Sequence, residues 1–154
     1  MGAGGYASYR AFAGSERAPN VGYTLLDGRQ STTDQLRGKV VLVNFWATDC
    51  TACLHEMPKI IATHRKFNGR GFETLSVSMR YDAPASVIDY ATTRQLPFSV
   101  AIDITGDIAK SFGNVELTPT SVLINKRGEI VKRYVGEPDF VAVDKLVEKL
   151  LAET

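Results

Sequence analysis

The sequence predicts an α/β domain, a mixed β-sheet with helices on both faces, and three observations lead there. Val40 to Phe45 is a nearly continuous apolar, β-branched run, the pattern of a strand buried on both faces. A stripe of apolar residues at three- and four-residue steps comes next, and a second buried run, Phe72 to Val77, follows it. Near the C-terminus, Ser121 to Ile124 and Ile130 to Val135 alternate around Asn125-Lys126-Arg127-Gly128, a hairpin signal. Strand, helix and strand with short links make a βαβ unit, whose strands are parallel and whose crossover is right-handed. The hairpin adds antiparallel pairing at the other end of the chain.

The first twenty residues, MGAGGYASYRAFAGSERAPN, show no apolar periodicity and are read as a flexible leader, or what remains of a longer leader or anchor. They lack the apolar centre of a secretory signal, although Ala11-Phe12-Ala13 has the small-x-small form of a cleavage site. Residues 21–154 are then a single domain. Val21 to Leu26 reads as a short strand, Asp27-Gly28 as a turn, and Thr32 to Leu36 as a helical turn before Gly38. The first long helix carries Met57, Ile60, Ile61, His64 and Phe67 on its stripe and ends at Gly69 and Gly71. Asp82 as N-cap and Pro84 in the first turn open a helix to about Arg94. Phe98 to Ile102 is a strand and Thr105 to Phe112 a short helix. Pro138 and Asp139 start a last helix whose stripe of Val143, Leu146, Val147, Leu150 and Leu151 needs a sheet to cover.

Composition narrows the function. A chain of 154 residues, 44% apolar, supports one well-buried core. With 18 basic and 17 acidic side chains it lacks the concentrated positive charge that grips nucleic acid or an anionic membrane. No apolar run approaches the roughly 20 residues that span a bilayer, and neither Gly-rich phosphate loop is present. Two cysteines make at most one bridge, so a disulfide framework is excluded.

Their spacing is informative. Cys50-Thr51-Ala52-Cys53 lies between the first buried strand and its helix, which presents both sulfurs at a helix N-terminus. Residues three apart on a helix have Cβ atoms about 5–6 Å apart, close enough to form and break a disulfide without unfolding. Unpaired N–H groups and the macrodipole at that end favour an anion, lowering the pKa of Cys50 and raising its thiolate fraction. A zinc site would need further ligands, and His55 and His64 do not complete any usual finger spacing. A purely structural bridge closing so small a loop would constrain the unfolded chain little. Reversible dithiol chemistry is the reading that uses the position.

The segment KVVLVNFWATDCTACLHEMPKI resembles the active-site segment of thioredoxin-fold proteins, most closely the bacterial TlpA/ResA type of thiol-disulfide reductase. The likeness extends to APNVGYTLLDGRQSTTDQLRGK and LTPTSVLINKRGEIVKRYVG, from near Ala18 to the C-terminus. It implies a thioredoxin fold with an N-terminal extension and a central helix-strand segment. It further implies that Cys50 attacks, Cys53 resolves, Pro119 is a cis-proline, Thr118 faces the sulfurs and Pro58 sits inside the active-site helix. Glu56 would handle the Cys53 proton, and Trp46 would flank the substrate groove, with core packing as the alternative. The implied cofactor is none beyond the Cys50–Cys53 disulfide, with no metal. The implied partners are cysteine-containing protein substrates, apocytochromes c among them, and a membrane or thioredoxin-type electron donor. The setting is extracytoplasmic, with a cytoplasmic one as the alternative, and the chain acts as a monomer.

Other residues refine the picture. His55 reads as a solvated helix histidine and His64 as a hydrogen-bonded boundary residue. Asn44 stands where thioredoxin proper has a buried Asp; an amide accepts no proton, so that burden falls on Glu56. A peroxidase on the same fold would carry a Pro and a Thr or Ser where Val43 and Ala47 stand, and a copper module would use a histidine beyond His64, where none occurs. Asp49 occupies the position where many relatives carry Trp, and its carboxylate opposes thiolate formation at its neighbour. Replacing it by Asn is expected to lower the Cys50 pKa in a thiolate absorbance titration; an unchanged or raised value would overturn this.

Overall fold

The computed structural model describes residues 16–153. Among these described residues are eight strands: β1 (Glu16–Arg17), β2 (Gly22–Thr24), β3 (Gln30–Thr32), β4 (Val40–Trp46), β5 (Phe72–Ser78), β6 (Ser99–Ile102), β7 (Thr120–Ile124) and β8 (Glu129–Val135). Four α-helices join them: α1 (Thr51–Phe67), α2 (Pro84–Thr93), α3 (Asp107–Ser111) and α4 (Phe140–Leu151). The main sheet has the order β1-β8-β7-β4-β5-β6. As expected from the sequence, β4 and β5 run parallel and β7 and β8 add antiparallel strands on the other side of β4; β6 extends the parallel part beyond β5.

Every residue of β4 is buried because the pleat divides its apolar side chains between two cores. Val40, Leu42 and Trp46 face the layer formed by α1, α2 and α4. Val41, Val43 and Phe45 face the opposite layer, where α3 and the β2–β3 hairpin supply Phe112, Ile108 and Tyr23. Phe45 and Phe112 meet edge-on with ring centroids 5.7 Å apart. Gly71, at φ 96°, takes the left-handed conformation that turns the chain from the end of α1 into β5, and its carbonyl accepts the Val40 N–H at 3.0 Å. The start of β4 and the start of β5 are thus set level with one another.

Several boundaries differ from the sequence expectation. Glu16 and Arg17, assigned there to a leader, pair with Ile130 and Glu129 at the edge of the main sheet, and Glu16 also bonds Arg133. Two residues are too short a strand for alternation to reveal, so tertiary pairing alone defines them. Residues 1–15 of the expected leader lie outside the described residues. The strand expected over Val21 to Leu26 is regular only at β2, and its partner β3, the polar run Gln-Ser-Thr, gave no apolar signal. Leu25 bridges to Ala101, and the Leu26 N–H donates to the Val100 carbonyl at 3.2 Å, so this hairpin covers the β6 edge. Asp82 does not cap α2. Ala83 holds that position, and the Asp82 carboxylate turns instead toward Thr48.

Candidate redox active site

Three chain segments converge at the C-terminal end of β4. That strand leads through Ala47 to Asp49 into α1; antiparallel β7 begins there, just after Thr118–Pro119; and β8 ends there, leading to Glu137. The crossing of parallel and antiparallel neighbours at one strand end places groups from distant parts of the chain around the same pair of sulfurs.

Cys50 is the N-cap of α1, and its Sγ accepts the Cys53 N–H at 3.2 Å. This is one of the unpaired donors that a helix start must satisfy, here directed at sulfur. Cys50 is half-buried, while Cys53 is 1% exposed. The two are joined as a disulfide with Cα atoms 5.2 Å apart. The accessible sulfur therefore lies at the positive end of a 17-residue helix, and the shielded one behind it. α1 continues through Pro58, as the stripe requires.

The Thr118–Pro119 peptide bond is cis, and the Thr118 carbonyl lies 3.6 Å from Cys50 Sγ. Pro119 is buried and its carbonyl accepts the Gly136 N–H at 2.8 Å, tying the β8 end to this turn.

Glu56 is 0% exposed, on the turn of α1 after Cys53. Asn44 Nδ2 donates to Glu56 Oε1 at 3.1 Å and lies 3.3 Å from Ser121 Oγ. Asn44 and Ser121 are register partners across β4 and β7. Glu56 Oε2 has no hydrogen-bond partner among the described residues. Burial pushes the Glu56 carboxyl up to about 7; the Glu137 carboxylate adds to the effect, while the Asn44 hydrogen bond and Lys59 oppose it. An acid at that value exchanges its proton near neutral pH.

Two histidines and a tryptophan fall differently. Trp46 is 0% exposed and packs on Tyr90 at 5.3 Å between ring centroids, so it belongs to the core rather than flanking a groove. His64 is fully inside, bonded through Nδ1 to Thr74 Oγ1 at 3.0 Å; burial lowers its pKa. It is a core residue and not a boundary one. His55 is solvated as expected, yet its Nδ1 lies 2.9 Å from Glu137 Oε2. Among the described residues no group of three or more His, Cys, Asp or Glu is gathered as for a metal ion.

Two neighbours of the site escaped sequence reading. Asp82, from the loop after β5, accepts the Thr48 N–H and the Thr48 hydroxyl, each at 2.6 Å, and so fixes the loop that carries Cys50. Its position before Pro84 disguised it as a helix cap. Glu137, in a turn far along the chain, carried no local signal at all.

A family model described as Redoxin matches residues 13–150. The chain belongs to the redoxin family. This redoxin is 31% identical to the thiol-disulfide oxidoreductase ResA of Bacillus cereus, over 97% of its own length and 89% of that protein's. With ResA of Bacillus subtilis it shares 30% identity over 86% of its length and 76% of the relative's. Its fold superposes on a Neisseria meningitidis protein assigned as a thioredoxin with TM-score 0.83, at 38% identity and covering 90% and 93% of the two chains. A thiol:disulfide interchange protein of Chlorobium tepidum gives 0.81 at 25% identity, covering 89% and 97%. With these relatives and a bonded Cys50–Cys53 pair at a helix start, the redoxin is a thiol-disulfide oxidoreductase of thioredoxin fold.

Asp82→Ala strands both Thr48 donors, and the oxidised protein is expected to lose about 2 kcal/mol on urea unfolding. Thr48→Val in the Asp82→Ala background should add much less than it costs alone; full additivity would show that the two residues do not act as a pair.

Proposed function

We propose that this redoxin reduces disulfides in cysteine-containing proteins, with Cys50 attacking, Cys53 resolving and Glu56 taking the Cys53 proton. The observation that carries the reading is a carboxyl fully buried one turn beyond the resolving cysteine, hydrogen-bonded at one oxygen only and pushed up to about 7. Proton transfer works best when the acceptor's pKa lies near the operating pH, which a surface glutamate does not meet.

In the reduced enzyme the Cys50 thiolate attacks one sulfur of the partner's disulfide. That bond breaks, and the other partner sulfur leaves as a thiolate that takes a proton from water. In the resulting mixed disulfide the Cys53 thiol passes its proton to Glu56, and its thiolate attacks Cys50 Sγ. The Cys50–Cys53 bond forms, the second partner sulfur leaves as a thiolate, and the proton held by Glu56 neutralises it. Two electrons have moved to the partner; a membrane or thioredoxin-type dithiol donor returns two by the same exchange in reverse. The partner's chain docks along Thr118 and Pro119, beside Cys50, where exposed Leu117 and Val135 offer it apolar contact.

The reading includes an extracytoplasmic setting, a monomeric protein, apocytochromes c among the substrates and no cofactor beyond the disulfide, all in keeping with the resemblance to ResA-type reductases. No helix of the described residues is long and apolar enough to cross a membrane.

Cys53→Ser is expected to accumulate a covalent complex with a disulfide substrate through Cys50, visible on a non-reducing gel. Glu56→Gln should slow insulin-disulfide reduction by roughly 100-fold and remove the acid limb of the rate profile, whose midpoint lies near 7. An unchanged rate and profile would refute the role of Glu56. Stability carries the same signature. Folding raises the Glu56 pKa above the ordinary glutamate range, so the native state binds more protons and loses stability as pH climbs from that range through about 7. The urea-derived stability of the oxidised protein should fall by up to roughly 3 kcal/mol across that window, and Glu56→Gln should flatten the slope.

A further inference from the structure

Glu56 lies in sequence between two residues, His55 and Lys59, that sit four apart on the outer face of α1. One carboxylate spans both. Glu137, from the turn between β8 and α4, places Oε2 2.9 Å from His55 Nδ1 and Oε1 against Lys59 Nζ. These two bonds hold the Glu137 pKa below the usual carboxylate range, so the group is ionised whenever the enzyme works. The turn that carries it is itself tied to the active site, because the Gly136 N–H donates to the Pro119 carbonyl.

We propose that Glu137 is a positioning residue of the redox site: pinned across His55 and Lys59, its carboxylate holds a fixed negative charge on the stretch of α1 that carries the buried Glu56 and governs when Glu56 gives up its proton. A like charge opposes ionisation of Glu56, whereas Lys59, which Glu137 holds in an ion pair, favours it. From the sheet, Glu56 meets the neutral Asn44, which in turn meets Ser121; on its own helix Cys53 stands three residues before it. Two acids of the α4 region are engaged elsewhere, the N-cap Asp139 with the Val141 N–H and Asp144 with Thr63 and Lys66. Glu137 is thus the anion placed to act, and the proton-transfer role of Glu56 on which its catalytic consequence rests is the one proposed above.

The test reads Glu56 directly in the oxidised protein, by carbon-13 NMR titration of its side-chain carboxyl. Glu137→Gln is expected to lower the Glu56 midpoint by about half a pH unit, with the difference shrinking in high salt because Glu137 is near solvent. Lys59→Met should raise the midpoint, and Glu137→Asp should restore most of the shift. Opposite signs for the first two variants exclude simple loosening of the turn. A midpoint unmoved by Glu137→Gln, or moved the same way by both variants, would overturn the proposal. The rate profile separates it from the reading beneath it. If Glu56→Gln abolishes the acid limb while Glu137→Gln leaves the NMR midpoint in place, Glu137 is excluded and Glu56 stands. If Glu137→Gln moves the midpoint while Glu56→Gln leaves the rate profile intact, the charge coupling stands and proton transfer by Glu56 falls.

Discussion

Everything functional in this redoxin is placed relative to β4, a strand with no exposed residue. It is hydrogen-bonded to β5 on one side and β7 on the other, and its side chains are committed to two separate cores. A strand so constrained cannot slide, because a one-residue slip would exchange the contents of the two cores. Its C-terminal end is therefore a fixed point, and the short loop from Ala47 to Asp49 hands that rigidity to Cys50. The Asp82 carboxylate completes the transfer by holding both polar groups of Thr48 from a neighbouring loop.

The same constraint explains how a glutamate comes to be buried without an ion pair. Asn44 occupies a core-facing position on β4, where an apolar side chain would be the default, and its amide is the hydrogen-bond donor that Glu56 finds on entering the core. A neutral amide compensates a carboxylic acid better than a carboxylate, since the charged form would need stronger donors than one N–H. The site thus favours the proton-bearing form until the pH approaches neutrality. Desolvation is the dominant cause, and the surface charges of Glu137 and Lys59 act on top of it in opposite senses. Burial places the acid in the working range, and charges near solvent adjust it within that range.

Much of this was legible in the residues. The two buried runs, the stripe through Pro58 and the closing hairpin are strongly periodic, and each appears where its pattern places it. The C-x-x-C pair was legible because its position at a strand-to-helix junction is itself a local feature. The edge strand β1 and the role of Asp82 were not, since each is defined by a partner far away in the chain, and the polar strand β3 was not, because Gln-Ser-Thr carries no apolar alternation. Trp46 shows the same limit from the other side. A tryptophan next to an active-site loop is compatible with groove and core alike, and only its packing on Tyr90 assigns it to the core.

The sequence by itself determined the class of fold, the pair of reacting sulfurs, their setting at a helix start and the acid one turn beyond them, because all of these are written in spacings of a few residues. Tertiary structure alone decided what surrounds them. Asn44 beneath Glu56, Thr118 beside Cys50, Asp82 behind the loop and Glu137 across α1 are brought together by strand order and register. The physical reason is range. Periodicity and helix-end electrostatics act within a turn or two of the chain, whereas the proton affinity of a buried acid depends on every dipole and charge that folding packs against it.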